Sequence, residues 1–291
     1  MNAIFISKTF RQSTTIDAEY AERLGAFVGG YVGSIFSLTG MILIYATLKN
    51  QQQNSQLQSF ETKYFELLKM HRDNVAEIEL KGESGRKFFV LLVDEFRLAL
   101  RTIRAIPFQT TEQLLLDHSA EIAYYCIFFG VGPNSSRMLK DSIRRIGISE
   151  YVTGEVEAAL SRSKDQIRRG GAYIYLPFDG HQSRLGHYYR HLYQMVRYVD
   201  QQILVEFDAQ KKYEYVKTIR AQLSTHEQAM FLINSLTPIG RNWWRNGLIT
   251  KYRLVKNIPE DFFNRETEVD TSKWFTPGYF EWEQVSAAGP I

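Results

Sequence analysis

The chain has a single cysteine, Cys126, among 291 residues. It therefore forms no internal disulfide and no Cys-rich zinc cluster, and the bulk of it suits a reducing compartment, read here as the cytosol. Excess charge is also small: 35 Lys and Arg against 32 Asp and Glu leave +3, far below the surplus of a dedicated nucleic-acid binder although compatible with an anionic partner. No phosphate loop, dinucleotide fingerprint, nucleophile elbow or metalloprotease motif occurs, so the common enzyme signatures are silent. Internal repeats, low-complexity tracts and alternating strand patterns are missing as well. With 44% apolar and 23% charged residues, neither a disordered chain nor a polytopic membrane protein fits the whole sequence.

One long apolar run is present. Leu24 to Leu48, between Arg23 and Lys49, carries no charge; as a helix it would be roughly 37 Å long against a hydrocarbon core of about 30 Å. The expectation is a transmembrane helix, with a buried soluble helix as the alternative because five glycines and several Ser and Thr dilute the segment. The stretch before it contains Asp17, Glu19 and Glu22 beside Lys8, Arg11 and Arg23, which is unlike a cleaved signal peptide. Gly25, Gly29, Gly33 and Ser37 recur every four residues, a stripe on which two helix backbones can approach and the chain can self-associate. Lys8, Arg11 and Arg23 precede the segment while Lys49, Lys63, Lys69 and Arg72 follow it, so charge sets no orientation. The cysteine count and the size of the C-terminal region place that region in the cytoplasm of a single-pass inner-membrane protein.

The rest reads as all-α. Leu57, Phe60, Tyr64, Leu67 or Leu68, Val75 and Ile78 keep an apolar stripe along a stalk helix that Gly82 to Gly85 closes. Further helices are expected at Phe88 to Ile106, Thr111 to Phe129, Ser136 to Gly171, Ser183 to Phe207, Lys211 to Leu236 and Arg245 to Asn257, with stops at Pro107, Pro133, Pro238 and Pro259. The run IAYYCIFF is too short to cross a bilayer and should form the central buried helix. A loop belongs at Tyr173 to Gly180, and the aromatic tail from Asp270 suits an extended arm packed on the helices. The organisation is an N-terminal segment, residues 1–23, a transmembrane helix, 24–48, a cytoplasmic helical domain, 49–269, and an aromatic C-terminal arm, 270–291.

Three constellations can carry chemistry. On the helix from Ser183, Leu192, Met195, Val196, Val199 and Ile203 make a core face, and His187, His191, Gln194 and Tyr198 form a polar stripe beside it. The i, i+4 spacing of the two histidines suits a metal or a shared proton, but two ligands make no site, and interhelical hydrogen bonding is the plainer role. On the helix from Lys211, Arg220, Glu227 and Asn234 turn toward the face of Val216, Ile219, Leu223 and Met230, where buried charge requires a partner, either an ion pair or a functional pocket. Arg220 and His226 also stand in an R-x5-H arrangement, similar to that of HEPN-type ribonucleases, except that Ala221 replaces the polar residue that usually follows the arginine. Last, Arg144, Arg145, Arg168 and Arg169 lead a basic stretch in which Asp141, Glu150, Glu155, Glu157 and Asp165 are interspersed; it is a solvated face or a contact for RNA, DNA or anionic lipid headgroups. No cofactor and no metal site is expected.

Taken together, the segments GAFVGGYVGSIFSL (25–38), YFELLKMHRDNVAEI (64–78), GHYYRHLYQMVRYVD (186–200), YEYVKTIRAQLSTHEQ (213–228) and LITKYRLVKNIP (248–259) resemble the bacterial phage abortive-infection proteins called AbiC-like. The resemblance implies antiphage defence in which an infected cell stops growing or dies, and it supplies no catalytic residue set. The leading expectation is a non-enzymatic effector at the lipid bilayer, self-associating and answering a phage-derived trigger or a companion defence protein. The rivals are a membrane-tethered HEPN-like ribonuclease acting on RNA through Arg220 and His226, and a scaffold for another defence component.

Overall fold

The computed structural model describes residues 18–80, 83–107, 112–132, 136–170, 175–204 and 207–283. They are 73% helix and 2% strand, so the all-α reading holds. The chain divides into two compact units, Met1–Glu61 and Thr62–Ile291, and the division falls inside α1, a 60-residue helix from Ala18 to Glu77.

In the first unit α1 carries the apolar run. None of its most apolar 18-residue window is buried, and Tyr31, Phe36, Met41 and Tyr45 are each more than 60% exposed. Val28–Val32 is π-helical, with the Gly33 amide donating to the Val28 carbonyl. Residues four apart on an α-helix drift by roughly 40° per step; the wider π turn reduces that drift and keeps Gly25, Gly29, Gly33 and Ser37 closer to one line. No part of the 1–17 segment lies within the described residues.

The second unit is organised around α4, Ser119–Phe129, in which Ile122, Ala123, Tyr124, Cys126 and Ile127 are fully buried. A helix apolar on every side must be covered on every side, and α4 is packed by α2, Arg86–Arg104, α3, Glu112–Asp117, α5, Ser136–Arg145, α7, Gln182–Asp200, and α9, Thr225–Leu236. The helix α2 shows why one face suffices elsewhere: Phe89, Leu92, Val93, Phe96, Leu100 and Ile103 are buried at helical spacing. The remaining helices are α6, Glu150–Gly170, α8, Ala209–Arg220, and the single turns α10, Asn242–Arg245, and α11, Leu248–Lys251. The stalk stripe also holds, with Tyr64, Leu68 and Ile78 buried, and the Tyr64 hydroxyl donates to the Tyr215 carbonyl at 2.9 Å.

Several expected helices are shorter or broken. The stretch from Lys211 is two helices, because Ser224 accepts from the Glu227 amide and the Glu227 carboxylate accepts from the Ser224 amide, a reciprocal cap that starts α9 afresh. The helix from Ser183 ends at Asp200, and Ile203, expected in the core, is 94% exposed. Gly147 at φ +88° separates α5 from α6, and His118 lies between α3 and α4. Beyond Lys251 the expected helix to Asn257 is a run of turns. After α1, Glu79–Leu80 and Glu83–Ser84 form a small antiparallel pair that the sequence pattern had not shown; Gly82, placed at that turn, lies outside the described residues. The arm from Asp270 does pack inward, with Phe275, Tyr279 and Phe280 buried and the Tyr279 hydroxyl on the Ile249 carbonyl at 2.9 Å; its end, residues 284–291, is outside the described range.

Candidate functional site

The segment before α7 is held by a buried polar cluster that sequence patterning missed. Glu95, fully buried on α2, accepts from the Phe178 amide at 2.6 Å and the Tyr175 hydroxyl at 2.7 Å, and lies 3.0 Å from His181 Nε2. Phe178 adopts φ +64° there, and the backbones of Gly130 and Gly180 pass so closely that a Cβ on either would lie within 3.0 Å of the other strand of chain. These contacts fix the entry to α7 rather than open a site, since none of the cluster reaches solvent.

The polar stripe of α7 does not act as one unit. His187 and Gln194 are exposed, while His191 and Tyr198 are half-buried. His187 lines a cavity of about 460 Å³ with Glu77 and Glu79. His191 instead stacks on His71 of α1, with ring centroids 5.9 Å apart and planes 8° apart. His71 is 1% exposed, and the four ring nitrogens of the two residues have no hydrogen-bond partner among the described residues. Burial, reinforced by His191, lowers the His71 pKa to about 4, and burial also lowers that of His191. His71 was not singled out from the sequence; it sits between Leu68 and Val75 at the helical spacing of the apolar stalk stripe. No group of three or more His, Cys, Asp or Glu able to hold a metal occurs among the described residues.

Arg220 and Glu227 are both buried, but on separate helices and with separate partners. Arg220 Nη1 donates to the carbonyls of Tyr252 and Arg253 at 3.0 and 3.1 Å, and its guanidinium faces the Tyr213 ring at 5.8 Å. Its partners are thus carbonyls and an aromatic face, and not the ion pair that was one of its two expected roles. Glu227, besides closing the α9 cap, accepts from the Tyr188 hydroxyl at 3.2 Å and lies 3.8 Å from Arg86. His226 packs edge-on against Phe262, its pKa lowered by burial and by nearby Arg97. Arg97 itself binds Glu268 at 2.9 Å and the Phe262 carbonyl at 2.6 Å. Arg220 and His226 therefore share none of these partners, and the break at Ala221–Ser224 removes the continuous helix on which their spacing was read. Asn234 donates to the Tyr124 hydroxyl at 2.6 Å.

Arg144, Arg145, Arg168 and Arg169 are all exposed. Arg144 lies 3.8 Å from Asp141 and Arg168 3.7 Å from Asp165, while Lys164 pairs with Asp179. Pairs of this kind contribute little to stability, and the face mixes both signs.

One concave site has a different character. A cavity of about 250 Å³ lies between α7 and the segment joining α9 to α10, walled by Tyr189, Tyr193, Asn234, Ile239 and Trp243, with Arg190 at its edge. The close turn that shapes it depends on Gly240, where a Cβ would meet the Asn234 carbonyl oxygen at 2.4 Å.

Fold and residues together define an all-helical domain following a long apolar helix. Residues 180–263, from the entry of α7 through the turns beyond α11, match the family model described as "Putative phage abortive infection protein". That match supports the AbiC-like resemblance and covers three of the five segments that suggested it; the segments at 25–38 and 64–78 lie outside it. No curated protein and no solved structure matches the chain.

Proposed function

We propose that the chain is a membrane-anchored effector of abortive phage infection, with α1 crossing the inner membrane once and the helical unit in the cytoplasm. One observation supports the anchoring above others. The apolar window of α1 has a mean hydropathy of 1.8 and none of it is buried, so in water it would leave a continuous apolar surface far larger than single-chain proteins tolerate. A soluble core helix would be covered. The family match over 180–263 supports the link to phage defence.

In this reading Gly25, Gly29, Gly33 and Ser37 let copies of α1 pair in the bilayer, and the helical unit responds to a phage-derived trigger or companion protein. The contacts of Arg220 favour this non-enzymatic reading over a ribonuclease, because a guanidinium 6% exposed and committed to two main-chain carbonyls is poorly placed to bind a phosphodiester. The test has two arms. Membrane-potential dye uptake is compared in infected cells with and without the gene, where gene-dependent depolarisation before lysis is expected. Purified protein is incubated with cellular RNA, and cleavage abolished by His226→Ala would overturn the reading.

A further inference from the structure

The cavity beside α7 combines three properties that together describe a ligand. Its walls are aromatic: Tyr193 and Trp243 meet edge to face with centroids 5.0 Å apart. No carboxylate lines it, whereas Arg190 stands exposed at its edge. The Arg190 side chain donates through Nε to the Gly186 carbonyl one turn back, an arrangement that steadies the guanidinium, and it has no carboxylate partner among the described residues. Ile239, 41% exposed, also lines the cavity and adds an uncovered aliphatic contact.

The third property is Gly186, inside α7 where glycine weakens a helix relative to alanine. Close packing does not require it: a Cβ there would meet nothing nearer than Arg190 Nη2 at 3.8 Å. Glycine in a helix interior with open space above it lets a bound molecule lie directly against the backbone. A volume of about 250 Å³ is below the usual span for drug-sized ligands and suits a one- or two-ring molecule.

We propose that this cavity binds a small aromatic monoanion, its ring against Tyr193 and Trp243 and its carboxylate on Arg190. An aromatic edge-to-face wall favours a planar ring, and a guanidinium held in place and free of acids favours a carboxylate in bidentate contact. This ligand site goes beyond the membrane reading and does not depend on it, since binding is measured whether or not α1 depolarises a membrane.

The experiment uses the full chain in zwitterionic lipid nanodiscs, with empty nanodiscs subtracted. Saturation-transfer NMR titrations are run with indole-3-acetate and with tryptophol, its neutral analogue. Saturable binding of indole-3-acetate is expected, with tryptophol weaker by about tenfold or more, the value of one charge-assisted hydrogen bond. Arg190→Gln should bring indole-3-acetate down to the tryptophol level, and Gly186→Leu should remove both signals. Ile239→Glu, on an exposed turn, places a carboxylate at the mouth and should weaken the acid selectively, which keeps the test decisive if Gly186→Leu alters folding. No saturable binding, equal binding of the two probes, or indole-3-acetate binding unchanged in Arg190→Gln and Ile239→Glu would overturn the proposal.

Discussion

The stacked pair of His71 and His191 makes the helical unit acid-labile by an amount that can be worked out. An unfolded chain protonates its histidines near pH 6.5, whereas buried His71 titrates at about 4 in the folded unit. Between those values the unfolded state binds more protons, so stability is complete above about pH 6.5 and falls as the pH is lowered. From the two pKa values, His71 alone costs about 2 kcal/mol at pH 5 relative to neutral pH, and about 3 kcal/mol once both states are protonated. For a unit of this size that corresponds to a lower Tm by roughly 4–8 °C at pH 5.

The perturbation is His71→Phe, which keeps an aromatic ring against Tyr188, whose ring centroid lies 5.2 Å from that of His71, and removes the titrating group. Thermal unfolding of the full chain in nanodiscs is followed by intrinsic tryptophan fluorescence from pH 8 to pH 5. The wild type should lose stability toward pH 5, and the variant should lose less by about the amount attributed to His71. A residual slope is expected from His191 and His226, whose pKa values are also lowered. Parallel pH dependences in wild type and variant would refute the burial of the His71 ring and the cause assigned to its shift.

Arg220→Ala should destabilise the helical unit by about 2–3 kcal/mol, because two carbonyls lose a charged donor; a wild-type Tm combined with lost phage protection would instead assign Arg220 to function. Gly240→Ala should cost about 1–3 kcal/mol, since its methyl must displace main chain at the Asn234 carbonyl, and an unchanged Tm would show that the turn has room. Gly29→Leu and Gly33→Leu should reduce cross-linked dimer in membranes by holding helix backbones apart; equal cross-linking in both variants would exclude that stripe as an interface.

How far the sequence could be read depended on whether local or distant contacts decided each element. The long apolar run of α1 and the buried helix α4 were legible as helices because each is a continuous apolar stretch, one 25 residues without a charge and the other too short to cross a bilayer. The stalk stripe was legible for the same kind of reason, a period that persists over many turns. The break between α8 and α9 was also written locally, in Ser224 and Glu227 as S-x-x-E, but an unbroken apolar wheel across Lys211 to Leu236 concealed it. That one missed cap had consequences for chemistry: it placed Arg220 and Glu227 on a common face and His226 one helical interval from Arg220, whereas two helices direct Arg220 to the carbonyls of Tyr252 and Arg253 and His226 to Phe262. The His71 and His191 pair and the Glu95 cluster had no local signal, because their partners are separated in sequence by 80 residues or more and a lone polar residue within an apolar stripe reads the same whether it meets a partner or not. The cavity at Arg190 belongs to that second kind as well. Its glycine at 186 was visible, but that it lines a cavity together with Ile239 and Gly240 is decided by packing rather than by any pattern along the chain.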